Sequence, residues 1–207
     1  GGLIPSTVTI RVLAQFNPQT CDATSGVLGS AGARSAHANF PGAEFPNTYY
    51  QQALANKLSG TDLSALEDIN ATFNSDLDNS TCLGTVNWYY GIDGNEGTDI
   101  ELLPVVLHEL SHGLGFSTFT NSTTGAFLDN TPDIFAHFLL NKSTGLHYDQ
   151  MGNNNLRKNA STNTGNLVWD GSAVNFSAPN VLQHEPEVLV LSPGSIAGSY
   201  AGIEGEF

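Results

Sequence analysis

Apolar residues recur in steps of three and four at Leu103, Val106, Leu107, Leu110 and Leu114. That spacing predicts a helix with one buried stripe, off which His108 and His112 lie. Thr98 and Glu101 form a capping-box pair, but Pro104 would break an interior hydrogen bond of a helix starting there, so the start falls between Asp99 and Pro104. Gly113 and Gly115 are poor interior residues and predict the end, with Gly115 in a left-handed turn. Two-residue alternation and β-branched content predict strands in "TVTIRVLAQF" (7–16), in "DINATFNSDL" (68–77), where Ile69, Ala71 and Phe73 share a face, and over 85–93 in "GTVNWYYGID".

The intervening stretches are less regular. "NPQTCDATSGVLGSAGARSA" (17–36) is full of Gly, Ser and Asn and reads as an ordered loop held by Cys21. "NTYYQQALANKLSG" (47–60) has an Asn at its start and a Gly at its end, as a capped helix should. "PDIFAHFLL" (132–140) fits a short helix opened by proline. "NLVWDG" (166–171) and "EVLVLSPG" (187–194) read as short strands, and 196–207 as a lead-out towards a further domain. A strand-rich first half with helices gathered around it predicts an α+β fold, a twisted mixed sheet packed on the 103–114 helix, in one domain over 1–195.

Composition narrows the partners. The chain has 207 residues, 20 acidic against 6 basic, and a net charge of −14. Such a surface repels phosphate backbones and anionic headgroups, which argues against nucleic acid and membrane partners. No apolar run approaches the roughly 20 residues that a bilayer helix needs. The chain opens on Gly1, and "GGLIPSTVTIRV" lacks the basic and apolar stretches of a secretion signal. Cys21 and Cys82 are too far apart for a metal-ligand pair and suggest a structural disulfide, hence an oxidising, extracellular setting. Sequons begin at Asn70, Asn79, Asn121, Asn141, Asn159 and Asn175, and matter where the source glycosylates.

The chemistry concentrates in "HELSHGLGF" (108–116). Four residues advance a helix by about 400°, so His108 and His112 point the same way, within reach of one zinc ion. Glu109 lies about 100° round from His108, beside the metal without ligating it, where a general base for water belongs. With 6 histidines in the chain, a chance His-Glu-x-x-His is expected on the order of once in a hundred such chains. Gly-x-Ser-x-Gly, Gly-x-Gly-x-x-Gly and phosphate-binding Gly-Lys-Ser/Thr patterns are absent from the sequence, which sets a serine mechanism and nucleotide binding aside. "DGNEGTD" (93–99) and "DNTPD" (129–133) are oxygen-rich candidates for structural calcium, although neither has EF-hand spacing.

"WYYG", "HELSHGLGF" and "GNLVWDG" together resemble the secreted bacterial zinc metalloproteases of the zincin group that carry an inserted protease-associated domain. The resemblance runs from "IRVLAQF" to "SPGSIAG". It implies a zincin catalytic domain acting on protein or peptide substrates, zinc at His108 and His112, Glu109 as base, and a third histidine and methionine turn beyond Phe207. The chain departs from the strict metzincin pattern at Thr118, where a third histidine would stand. His137, His147 and His184 are the candidates within the chain, and His147 with Met151 gives a loose match to a methionine turn. "TVNWYYG" is either an edge strand for an extended substrate or aromatic core filling. The competing expectation is a non-catalytic zincin-like binding module, or a fragment with an incomplete metal site.

Overall fold

A computed structural model describes residues 5–163 and 165–181. The chain divides into two compact units, one built from residues up to Glu44 plus Tyr50–Phe116, the other from Phe45–Tyr49 plus residues from Ser117 onward. The expected strand at 187–194 and the lead-out at 196–207 lie outside the described residues.

The first unit contains β1 (Val12–Asn17), β2 (Gly29–Ala33), β3 (Ala36–His37), β4 (Tyr50–Gln51), α1 (Gln52–Ser59), β5 (Ile69–Asn74), β6 (Trp88–Tyr89), β7 (Ile100–Glu101) and α2 (Leu102–Leu114). Its main sheet has the order β1-β5-β2, with β1 parallel and β2 antiparallel to the central strand. The α+β class and the mixed sheet are therefore as the pattern predicts. The loop reading of 17–36 is not, because Gly29–Ala33 pairs with Ile69–Phe73 along its whole length. A run of Gly, Ser and Ala carries no strand propensity of its own. Here the helix above selects the small side chains: a Cβ on Gly29 would stand 3.0 Å from Glu109 Cγ and 3.2 Å from the Phe73 ring.

The core of this unit gathers Leu28, Ala71, Phe73, Leu77, Trp88 and Val105 around Cys82, which is bonded to Cys21. Two other features tie the sheet to its surroundings. The fully buried Asp68 carboxylate accepts from Arg11 N–H at 2.7 Å, Asn56 Nδ2 at 2.7 Å and Gln52 Nε2 at 3.1 Å, fastening α1 beside β5. Trp88 Nε1 donates to the Asn74 carbonyl at 2.7 Å. Trp88 thus fills core, and it and Tyr89 pair with β7 rather than edging the main sheet, while Tyr90 is exposed. α1 starts later than the Asn47 signal suggests, because Tyr50 and Gln51 are drawn into β4, and it ends on Gly60 at φ +68°.

The second unit contains β8 (Leu139–Asn141), β9 (Leu146–His147), α3 (Asn154–Thr162), β10 (Leu167–Trp169) and α4 (Ser172–Val181), with sheet order β10-β8-β9. The helix expected at 132–140 is a single 3₁₀ turn, Ile134–His137, followed by β8. Asp133 caps that turn through Ala136 N–H at 3.0 Å, while its other oxygen accepts from Thr118 Oγ1 at 2.7 Å and Phe119 N–H at 2.8 Å. A cap whose carboxylate also holds 118–119 favours a tight turn over a longer helix. Neither α3 nor α4 has a regular apolar period, so the pattern did not reveal them.

Closing 61 residues, the Cys21–Cys82 bond removes chain entropy from the unfolded state. Reduction, or Cys82→Ser, should lower stability by about 2–4 kcal/mol, read as a lower urea midpoint. An unchanged midpoint would show that the bond adds nothing.

Candidate metal centre

α2 begins directly after β7 at Leu102, inside the expected window, without a side-chain cap from Glu101. Pro104 falls in the first turn, where its missing N–H costs nothing. At the other end Gly115 sits at φ +121°, and its N–H and that of Phe116 close on the His112 and Ser111 carbonyls at 3.2 and 3.0 Å. The glycine end signal was read correctly.

The orientation of α2 was not. The residues it buries are Val105, Glu109, His112 and Gly113, while Leu103 and Leu107 are 44% and 59% exposed. The leucine stripe is therefore not the face that meets the sheet. Gly113 explains the reversal: a Cβ there would collide with Ile69, so only glycine lets α2 approach β5 this closely. With Gly113 against β5, Glu109 one turn earlier must rest on β2.

Glu109 is 1% exposed. Ala31 N–H bonds to its carboxyl group, while Oε2 is buried with no hydrogen-bond partner. Burial pushes its carboxyl up to about 7, against the smaller opposing effect of the Ala31 bond. Such an orphaned acceptor costs stability and calls for a functional explanation.

His108 and His112 converge on each other one turn apart on α2. Their Nε2 atoms are 3.0 Å apart and their rings stand edge to face at 87°. One cation can bridge that separation at about 2.0–2.1 Å per nitrogen. His112 Nδ1 lies 2.9 Å from the Phe116 carbonyl oxygen, which can only accept, so the hydrogen belongs on Nδ1 and the Nε2 lone pair faces His108. Burial first, and then His112, pull His108 below its usual value, favouring the neutral imidazole that ligates metals. Two imidazole nitrogens on adjacent turns fit zinc.

The remaining candidates lie in the second unit or outside the described residues. His137 is held through both nitrogens, Nδ1 by Asp149 Oδ2 at 2.9 Å and Nε2 by Thr48 Oγ1 at 3.0 Å, and stacks on Phe45. His147 Nε2 pairs with Asp170 Oδ2 at 2.7 Å. Thr118 is 8% exposed and donates to Asp133. Met151 is buried, its carbonyl accepting from Arg157 Nη1 at 2.7 Å. His184 lies outside the described residues. Among those residues, no group of three His, Cys, Asp or Glu side chains forms a metal cage. Of the calcium candidates, Asp133 is committed to the bonds above, and Asp93 accepts from Tyr89 Oη and Asn95 N–H.

A family model described as SPBPB7E8-like matches residues 21–199. The chain belongs to the SPBPB7E8-like family. That span takes in both cysteines, the main sheet from β2 onward and all of α2. No curated protein and no solved structure matches the chain.

Two participants escaped the sequence reading, the Ala31 N–H that orients Glu109 and the Phe116 carbonyl that orients His112. Phe116 stood inside the quoted motif, but a backbone group leaves no residue signature. The small-residue run 29–33 was the available signal for Ala31. Gly113→Ala should gain helix propensity yet lose more by overpacking Ile69, a net loss of about 1–3 kcal/mol in urea unfolding. Equal or greater stability would contradict the close approach of α2 to β5.

Proposed function

We propose that the chain is a zinc-dependent endopeptidase of the zincin type, with His108 and His112 as metal ligands and Glu109 as general base. The observation that carries this reading is the pair of imidazole nitrogens 3.0 Å apart on α2, the helix that also buries a carboxyl with an unpartnered oxygen. A zinc ion bound there would supply Lewis-acid polarisation of the scissile carbonyl and acidify the attacking water. Glu109 takes that water's proton on Oε2 and later passes it to the leaving amine. Burial holds that carboxyl up to about 7 without metal, and a cation bound nearby would lower it towards the ionised form that a general base needs. The Ala31 bond and the Gly29 contact keep the carboxyl from swinging away.

β2 ends the main sheet, with no strand on its outer side among the described residues. An extended peptide pairing along that edge would pass close to Glu109, since strand edges recruit strands. Catalytic zinc takes three protein ligands. The third would come from a residue of a longer chain carrying a protease-associated domain. The disulfide suits an extracellular protease. Among the described residues no helix is long and apolar enough to cross a membrane.

The second reading, a non-catalytic binding module, is favoured by one observation: His137 and His147 are each engaged by a carboxylate of their own unit. Glu109→Gln separates the two readings. It should keep fold and zinc while lowering casein cleavage by about 100-fold or more. A variant as active as the parent removes Glu109 from the chemistry, and a parent inert with zinc bound supports the binding module.

A further inference from the structure

We propose that Asn79 and Asn121 are N-glycan attachment sites, and that Asn70 and Asn141 stay bare although they carry the same sequon. The inference is independent of the metal centre. It starts from the disulfide, whose bond forms in the oxidising compartments through which glycoproteins pass.

A sequon can stay modified in a folded protein only where a bulky, hydrated sugar fits on the amide nitrogen. Asn121 meets this condition. It is exposed, and its Oδ1 accepts from Thr123 N–H at 3.0 Å and Thr124 N–H at 2.9 Å. Both lone pairs of the carboxamide oxygen are thereby occupied in a turn, and neither bond draws on Nδ2, the atom that a sugar would substitute. Thr123, whose hydroxyl completes the sequon, is also exposed.

Asn79 follows the 3₁₀ turn Ser75–Asp78 and precedes Cys82 by three residues, so the disulfide holds its loop. It and Thr81 are exposed. Its Nδ2 donates to Asp76 Oδ1 at 3.2 Å, and a substituted amide keeps one hydrogen with which to retain that bond.

The contrast is set by burial. Asn141 is 8% exposed, and its Oδ1 accepts from Ser143 N–H at 3.0 Å and Ser143 Oγ at 2.6 Å. Asn70 sits on the central strand β5 with its Oδ1 buried. A sugar at either would force apart packed or hydrogen-bonded groups, and folding would select chains that lack it.

The transfer joins sugar C1 to asparagine Nδ2 and releases one amide proton. The bond from C1 to the pyrophosphate of a lipid-linked oligosaccharide donor breaks, and the lipid pyrophosphate leaves. A transferase of the secretory pathway supplies that donor.

The test is secretion of the full chain from a eukaryotic host, peptide-N-glycosidase release in heavy-oxygen water, and peptide mass spectrometry. The label should appear at Asn79 and Asn121 and not at Asn70 or Asn141. Thr81→Ala and Thr123→Ala, which spare the asparagines, should each remove one glycan step on a gel. An unmodified Asn79 or Asn121 in the secreted chain, or label at Asn70 or Asn141, would overturn the proposal.

Discussion

The close approach of α2 to the main sheet governs the rest of the first unit. Gly113 has no side chain to hold the helix off Ile69, and Gly29 has none to push back Glu109 on the helix. A helix seated this deeply must bury whatever occupies the same face one turn earlier. In this chain that residue is an acid. The burial of Glu109 and the elevation of its carboxyl follow from that one contact. Apolar burial favours seating the helix, while the orphaned carboxyl oxygen opposes it, a trade common at functional sites.

Both units place a carboxylate in their interiors for a different purpose. Asp68 and Asp133 are buried to 0% and 1% exposure, and each spends its oxygens on donors from separate stretches of chain. Burial pushes Asp133 upward against the hydrogen bonds that oppose it. These acids act as knots where regular elements are short, which suits a chain whose strands are mostly two or three residues long in the second unit. Glu109 differs by having an oxygen left over. Glu96 and Asp149 also bury an oxygen without a partner, so the proposal for Glu109 rests on that oxygen together with its place next to His108 on α2.

The legible part of the fold was local. β5 showed itself through Ile69, Ala71 and Phe73, and the end of α2 through Gly115, because alternation and glycine turns are written in adjacent residues. The face that α2 buries was illegible, since five leucines and valines outvoted one glycine in any periodicity count. β2 was hidden because its residues were chosen by the helix above them, not by strand propensity. At the candidate site, the convergence of His108 with His112 was readable from their spacing. The backbone groups that orient them, and the partners that engage His137 and His147, depend on contacts between distant residues.

The central claim is that His108 and His112 form a zinc site against the buried face of α2. Metal content by mass spectrometry, on the purified full chain and on a His108→Ala/His112→Ala variant after equal dialysis, tests it most directly. The account predicts close to one zinc per parent chain and almost none in the folded variant. Zinc absent from the parent after reconstitution, or retained equally by the variant, would contradict it.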